Sequence, residues 1–449
     1  MGADPGGAGG EKRGAGRVLK KTDCGPVLIA GFRFGQIGIG IPPRPLPGLL
    51  GSILHKRKEN LLSKQQCAII PPNQKSKKAP YQKMLKSIKI TGYRGFSEFE
   101  MSNLGRVNLL VGKNNSGKTS ALEGLYLLAS RGSPYSIWNV LWRRGERLAD
   151  RNPENYPQTA VCHLFHGHAS PIGSKFSFVA QNESPARQLT FSIGEIADGQ
   201  KKEITRGGIP VPVRLGLHIK GTPSPVVDVI PLSRAGGMSS DTLDTRRRPQ
   251  NVPVDDEMPT RFITTESASS DDLVTVWDRI TLTPYEERVH RALRLLEPDI
   301  EKIAPLASRT PYYVSERGGF LVKMKNVENP IPIGSMGDGM WRILTMSILL
   351  AQCKKDGVLL IDEIDKGLHY SVMTDMWKLI YGAAVELNVQ VFASTHSNDC
   401  VRSLAEFCFE DSAAAQDVTL QRIEKGKKKS IPYSAKEIEI SAAKQIEVR

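Results

Sequence analysis

The sequence lacks any long hydrophobic run. None of its 449 residues belongs to a stretch approaching the roughly 18 uninterrupted apolar residues of a membrane-spanning helix, and the longest candidate, residues 27–54, is broken by arginines and prolines. The six cysteines show neither CxxC pairing nor the spacing of metal ligands, which favours free thiols in a reducing compartment over a disulfide framework. We therefore expect a cytoplasmic protein without a membrane partner.

A sustained heptad pattern is also missing, which excludes long coiled-coil arms. Outside the first 83 residues there is almost no excess positive charge. The chain carries +14 overall, but residues 1–83 hold 15 basic and 4 acidic residues, which leaves 46 and 43 for the remainder. A nearly neutral body does not indicate a groove for a phosphate backbone.

The basic segment 1–83 is rich in glycine and proline, with clusters at residues 56–58 and 75–78. We expect it to be disordered. Three interpretations stay open for it: a transit peptide, an arm for nucleic acid or acidic lipid, and an extended start assignment, since Met84 opens the first predicted strand directly.

A phosphate-binding loop of the form GxxxxGK[ST] lies between an apolar run at 107–111 and a helical pattern at 120–128. Its glycines let successive backbone N–H groups point at phosphate oxygens, and the following helix adds its positive end. Lys118 is predicted to reach the β- and γ-phosphates, and the Thr119 hydroxyl to bind Mg²⁺. The predicted ATP contacts are Gly112, Lys113, Asn114, Asn115, Ser116, Gly117, Lys118, Thr119 and Ser120.

Two acidic residues follow a second apolar run. Residues 357–361 predict a buried parallel strand, and Asp362 and Glu363 come at its carboxyl end, the edge where α/β sheets bind ligands. Asp362 is predicted to hold Mg²⁺ opposite Thr119, and Glu363 to orient or deprotonate the attacking water. The alternative is that both acids only cap the next helix.

Two further segments complete the pattern. A glycine-rich turn at 333–340 opens an apolar helix and forms a second anion cradle, which cannot share a phosphate with the first loop of the same subunit if both cap separate helices. A strand at 389–397 ends near His396. A lone histidine at a strand end is often structural, but here a contact with the γ-phosphate is favoured.

The order of phosphate loop, Ser-x-Gly-x-Gly turn, Asp-Glu strand and Thr-His strand resembles the ABC-type AAA ATPases of the RecF/SMC/OLD-like group. The first predicted strand at 88–96 and the segment 362–369 resemble that group as well. The resemblance implies an α/β P-loop NTPase fold, an ABC-ATPase-like head with a mixed central sheet flanked by helices. It also implies ATP and Mg²⁺ as cofactors and an ATP-dependent homodimer, in which Ser335 and Gly337 of one subunit close over the γ-phosphate held by the other. Glu363 would then act as base and His396 as γ-phosphate sensor, beside Lys118.

The predicted domain comprises residues 84–449, with an inserted α+β lid at about 172–310. Within it, residues 172–232 predict short strands, 235–260 a polar loop and 271–296 a helix starting anew at Pro284. After His396 too few residues remain for the nuclease domain of OLD proteins.

The resulting hypothesis is an ATPase that hydrolyses ATP slowly as a dimer and acts as a switch on a partner. Two alternatives stay open. One is a DNA-binding ATPase in DNA repair or phage defence, and the other is a nucleotide-gated scaffold that regulates a separately encoded effector protein.

Overall fold

The computed structural model describes most of the chain after residue 83, with several gaps. The predicted disordered extension, residues 1–83, lies outside the described residues. The described ranges are 84–148, 157–181, 186–196, 214–222, 226–243, 258–264, 270–306, 319–353, 356–444 and 446–447.

A six-stranded mixed sheet forms the centre, as the sequence predicts. Its order is β11-β15-β16-β3-β17-β18, and every neighbouring pair is parallel except the last. The strands β3 and β15 are buried along their whole lengths, which explains why β15 is entirely apolar and why Asn108 is the one polar residue of β3. The strands are β3 (Val107–Val111), β11 (Thr260–Ile263), β15 (Val358–Ile361), β16 (Gln390–Ser394), β17 (Val418–Arg422) and β18 (Ile431–Ser434).

A second six-stranded sheet is antiparallel throughout, in the order β2-β1-β6-β7-β8-β9. The predicted strands at 172–232 are therefore present, and they continue the sheet that the first two strands begin. Alternating burial in β6 and β7 places one face in the core. The strands are β1 (Ser87–Tyr93), β2 (Phe96–Met101), β6 (Lys175–Gln181), β7 (Arg187–Glu195), β8 (Leu215–Thr222) and β9 (Val226–Pro231).

Two small sheets lie outside these, in the orders β10-β5-β4 and β12-β13-β14. The predicted polar loop at 235–260 is wrong at both ends, because β10 and β11 lie there. The predicted lid at 172–310 thus contributes strands to four different sheets. The remaining strands are β4 (Arg147–Leu148), β5 (Gln158–Ala160), β10 (Gly237–Ser239), β12 (Ile300–Pro305), β13 (Phe320–Met324) and β14 (Ile331–Pro332).

The helix that follows the phosphate loop, α1 (Lys118–Ala129), packs between the two large sheets. Beyond its polar first turn it is mostly buried and apolar, and Glu123 is the one charged residue among its buried side chains. Gly124 gives the antiparallel sheet a close approach: a Cβ there would lie 2.9 Å from the ring of Phe178 and 3.3 Å from Ile90.

The other helices complete the domain. The predicted helix at 271–296 is interrupted, because Leu282 adopts a left-handed φ of +61° and the Thr283 hydroxyl caps a new helix at Pro284. Within the described residues no helix has both the length and the apolar character needed to cross a bilayer. The helices are α2 (Pro134–Arg143), α3 (Ser270–Ile280), α4 (Pro284–Arg294), α5 (Asp338–Ala351), α6 (Met373–Glu386), α7 (Asn398–Glu410), α8 (Ser412–Ala415) and α9 (Ala435–Ala443).

Candidate active site

Residues 112–119 form a tight turn between β3 and α1. Gly112 and Gly117 have φ values of +147° and +108°, which favour glycine. A Cβ on Gly112 would lie 2.3 Å from the carbonyl oxygen of Ile423, and one on Gly117 would lie 2.5 Å from the ring of Phe96. The concave turn therefore requires glycine at both positions, because a residue with a Cβ would clash with its neighbours there.

The amino end of α1 has no side-chain cap among the described residues. The first amide groups of a helix point out of its amino end, and here they have no side-chain acceptor. The Ser116 hydroxyl is buried in the same turn and has no hydrogen-bond partner in the part of the chain that the structure describes. Both features fit a bound phosphate, which would accept from these donors.

The Lys118 side chain folds back onto the backbone of the loop. Its Nζ donates to the carbonyl oxygens of Gly112 and Lys113 across 2.7 and 3.0 Å. Burial lowers the pKa of Lys118, and the nearby carboxylates of Asp362 and Glu363 act in the opposite direction. The predicted acids therefore lie on the lysine's side of the sheet edge.

Thr119 and Asp362 meet at the carboxyl edge of the parallel sheet. The Thr119 hydroxyl donates to the two carboxylate oxygens of Asp362 at 3.2 and 3.1 Å. Two oxygen ligands in adjacent octahedral positions around Mg²⁺, each at about 2.1 Å, are about 3 Å apart. The spacing in the protein thus fits a shared Mg²⁺, bound directly or through water.

Ser394, the last residue of β16, organises both acids. Its hydroxyl donates to Asp362 Oδ1 across 2.5 Å and accepts from the amide of Glu363 at 3.0 Å. Glu363 has a left-handed φ of +47°, a strained value for a non-glycine residue. The serine thereby fixes the turn that separates the metal-side carboxylate from the one predicted to act on water.

Glu363 and His396 face each other at the rim of the site. Glu363 Oε1 lies 3.8 Å from His396 Nδ1, and both side chains are partly exposed. This separation exceeds a direct hydrogen bond. A carboxylate and an imidazole at this distance can both contact one water or one phosphate oxygen, the arrangement expected for a base and a γ-phosphate sensor.

The glycine-rich turn stands at the amino end of a different helix, α5. Ser335 and Gly337 are exposed, and no atom of the described residues lies within 4 Å of a Cβ built on Gly337, whose φ is +92°. No side chain of the described residues caps this helix end. The turn therefore presents backbone donors outward, as the resemblance requires for a contact with a second subunit.

The turn also contacts the segment that follows the acids. A Cβ on Gly339 would lie only 2.8 Å from the carbonyl oxygen of Gly367, and one on Gly367 would lie 3.2 Å from Cβ of Asp338. The outward-facing turn and the segment after Glu363 are thus in van der Waals contact.

Arg342, on α5, is a residue that the sequence analysis missed. It is 4% exposed, and its guanidinium donates to the carbonyl oxygens of Thr264, Asp362 and Glu363 at 2.8, 2.9 and 2.9 Å. Burial lowers its pKa against the opposing effect of the nearby carboxylates. A single arginine inside an otherwise apolar helix was the available signal, since buried charges require partners.

A second buried cluster holds the phosphate-loop helix. Arg94 binds Glu123 of α1 at 2.8 Å and Glu146 in a bidentate pair at 2.6 and 3.0 Å. Arg144 binds the other oxygen of Glu123 at 2.7 Å and also contacts the Ser120 hydroxyl at 3.4 Å. Burial depresses the pKa of Arg94, but Tyr93 and the two glutamates outweigh this and raise it. The Ser120 side chain is therefore engaged by Arg144.

The structure brings most predicted residues to one edge. Lys118, Thr119, Asp362, Glu363 and His396 lie together there, with Lys113, Asn114 and Asn115 exposed on the loop above. Ser335 and Gly337 stand on their own helix. These groups can hold a triphosphate and Mg²⁺, and their individual roles remain predictions.

Known proteins resemble this chain in sequence. The family described as AAA ATPase domain matches residues 84–184 and 271–401, more than half of the chain. An ATP/GTP phosphatase of Helicobacter pylori is 21% identical over 361 residues, covering 74% of this chain and 90% of that protein. The DNA replication and repair protein RecF of Clostridioides difficile is 42% identical over 45 residues, 10% of this chain and 12% of that protein. Among solved structures, the SMC head domain of Thermotoga maritima matches with a TM-score of 0.38 and 13% identity, covering 78% of this chain and 98% of that one.

Proposed function

Since this chain belongs to the AAA ATPase domain family, we propose that it works as an ATP-gated switch, in which two copies close head to tail around bound ATP. The predicted AAA ATPase identity and the P-loop NTPase fold are confirmed, and the chain is an ATPase. The dimer, the roles of single residues and the partner are the steps that the proposal adds.

In the proposed site, Lys118 and the loop amides hold the β- and γ-phosphates. Thr119 and Asp362 hold Mg²⁺, which neutralises charge as it develops on the phosphate oxygens. Glu363 orients the attacking water and accepts its proton, and His396 contacts the γ-phosphate. Arg342 and Ser394 fix the backbone of the two acids, and Ser394 also holds the carboxylate of Asp362, but neither touches substrate.

The observation that carries the dimer is the exposure of Ser335 and Gly337 at an uncapped helix end. The phosphate loop precedes α1 and the glycine-rich turn precedes α5, and neither helix end is capped by a side chain of the described residues. Two copies related by a two-fold axis would place each turn over the other's nucleotide. ATP would then hold the copies together, and hydrolysis would release them.

Glu363→Gln tests this proposal. The amide keeps the shape of the side chain but cannot accept a proton, so the variant is expected to bind ATP and stay dimeric in size-exclusion chromatography with ATP and Mg²⁺. The double variant Lys118→Ala/Glu363→Gln is the control and is expected to stay monomeric. An ATP-saturated Glu363→Gln protein that elutes as a monomer would overturn the dimer, and wild-type hydrolysis by it would overturn the base.

The partner is proposed to be a separate effector protein. In the basic turn between β17 and β18, Lys428 and Lys429 bind Glu98 and Glu100 at 3.1 and 3.5 Å, which offsets part of the charge that the turn could offer to DNA. DNA remains the alternative, which the short match to RecF motivates. Adding duplex DNA to the Glu363→Gln dimer distinguishes them: co-elution at moderate salt would favour a DNA-binding ATPase.

We also propose which nucleotides the site accepts, from the name of a relative. The Helicobacter pylori protein is named an ATP/GTP phosphatase, and we extend GTP to this chain as a second substrate. Competition of GTP with labelled ATP at the site measures this. Activity is proposed to take place in the cytoplasm.

A further inference from the structure

The segment 161–168, between β5 and β6, is held firmly against the connection from β1 to β2. The amide of Arg94 donates to the Leu164 carbonyl at 3.0 Å, and the amide of His166 donates to the Gly92 carbonyl at 2.9 Å. His166 Nδ1 also lies 2.7 Å from the Arg94 carbonyl oxygen. Phe165, between them, is 2% exposed. The backbone of this segment is therefore fixed against residues 92–94.

A turn at the end of the segment brings two imidazoles together. Gly167 and His168 both have left-handed φ values, +81° and +57°, and the amide of His168 donates to the Phe165 carbonyl at 3.1 Å. As a result, Nδ1 of His168 lies 3.2 Å from Nδ1 of His163, with the rings 5.4 Å apart. His168 is exposed and His163 partly exposed, so an ion can reach both nitrogens.

We propose that His163 and His168 bind a divalent transition-metal ion of the zinc class through their Nδ1 atoms. Zinc–imidazole bonds are about 2.05 Å long, so two nitrogens on one tetrahedral ion are about 3.3 Å apart. The observed separation of 3.2 Å needs almost no rearrangement. A metal-free pair would instead be a single hydrogen bond at the long end of the usual range, which requires one particular tautomer.

The site supplies two protein ligands. In the described residues no group of three or more histidine, cysteine or acidic side chains is placed to hold a metal, so water completes the coordination shell. Such an ion links His163 to His168 and so restrains the turn at 164–167 between them. The same segment binds the backbone of Arg94, whose guanidinium holds Glu123 on α1. The bound ion would therefore stabilise the residues that pack against the phosphate-loop helix.

The test is a Zn²⁺ titration of the full chain by calorimetry, without nucleotide and Mg²⁺ and after removal of metals with a chelator. The wild type is compared with His163→Ala, His168→Ala and the double variant, and His369→Ala controls for loss of an ordinary exposed imidazole. We expect the wild type and His369→Ala to bind one Zn²⁺ more than the other three. Zn²⁺ should also raise the Tm more in the first two proteins than in the other three, because a ligand of the native state stabilises it.

Metal-free Tm values show whether each variant still folds. If a histidine variant folds poorly, His163→Gln, which keeps a polar group of similar reach, replaces it. Equal stoichiometry and affinity in the wild type and the folded double variant would overturn the proposal and leave the pair as a hydrogen bond only. The outcome does not depend on the nucleotide site or on dimerisation.

Discussion

The hydroxyl of Thr119 donates to the carboxylate of Asp362 across 3.1 Å, although the two residues are 243 positions apart in the chain. One follows β3 and the other follows β15, and β16 lies between these strands in the sheet. Parallel strands therefore deliver the phosphate loop and the acids to the same edge. The predictions below examine this edge and the helices that hold it.

Lys118→Ala is expected to weaken nucleotide binding by roughly ten- to a hundredfold, the contribution of a charged hydrogen bond to phosphate. Titration with a fluorescent ATP analogue measures the affinity. Lys89→Ala, which removes an exposed lysine paired with Glu98 at 2.7 Å, is the control and should bind normally.

The same lysine predicts a pH dependence. Burial lowers its pKa below the ordinary 10.5, and only the protonated amine binds phosphate well. Affinity of the wild type should thus be complete at neutral pH and fall as the pH rises, before an ordinary lysine would titrate. Lys118→Arg keeps its charge and should show no such fall. An affinity that stays constant up to pH 10.5 in the wild type would contradict the assignment.

Mixing inactive variants tests whether the glycine-rich turn acts on the other subunit. Ser335→Arg blocks the turn, and Lys118→Ala disables the loop. In a mixed dimer one of the two sites keeps both parts, so random pairing should restore roughly a quarter of the wild-type ATPase rate. Lys118→Ala mixed with Glu363→Gln is the matched control, because both changes disable the same half of a site and no rescue is expected. A first mixture as inactive as its components would count against a contact between subunits.

Arg342→Met is expected to lower kcat with little change in ATP affinity. The arginine holds the carbonyls of Asp362 and Glu363, and without it the acids lose their fixed geometry while the phosphate loop is untouched. Unfolding free energy should fall by roughly 2–4 kcal/mol, since buried acceptors lose a charged donor. Chemical denaturation and steady-state kinetics measure the two effects. Arg402→Met, an exposed arginine on α7, should change neither.

Glu123→Gln removes the charge that Arg94 and Arg144 share behind the phosphate loop. Arg94 is then left buried with less compensation, which is expected to cost roughly 3 kcal/mol of unfolding free energy. Denaturant titration measures the loss. Glu98→Gln breaks exposed pairs with Lys89 and Lys428 and should leave the transition nearly unchanged. Equal effects of the two changes would show that the buried cluster has no special weight.

The sequence predicts those parts of the site whose residues lie within one short segment of the chain. The loop at 112–119, the strand before Asp362, the turn at Ser335 and the strand before His396 each combine a local pattern with a local structure, and all are present. The meeting of these segments was also predictable, because parallel strands end at a common edge.

Pairings between distant segments were not predictable in the same way. Nothing in residues 175–231 shows that their strands extend the sheet of β1 and β2, since alternating burial is compatible with any antiparallel neighbour. The short strand β11 escaped notice because its four residues lie beside a polar stretch and gain stability only by pairing with β15.

Side chains that support the acids from behind were missed for a similar reason. Ser394 was part of the strand that predicted His396, yet a serine in an apolar strand carries no sign of its two partners. Arg342 differs, because a charge within an apolar helix signals buried acceptors, although not which ones.

The contact between Gly339 and Gly367 has a consequence for how this surface tolerates change. Both positions border solvent, where substitution is ordinarily cheap, yet a Cβ at 339 would lie 2.8 Å from the Gly367 carbonyl oxygen, and Gly367 has a left-handed φ of +78° that favours glycine. Natural variants should therefore keep glycine at 339 and 367 while the exposed residues around them drift freely. On a surface that otherwise tolerates substitution, these two positions would then limit which sequences can form the site.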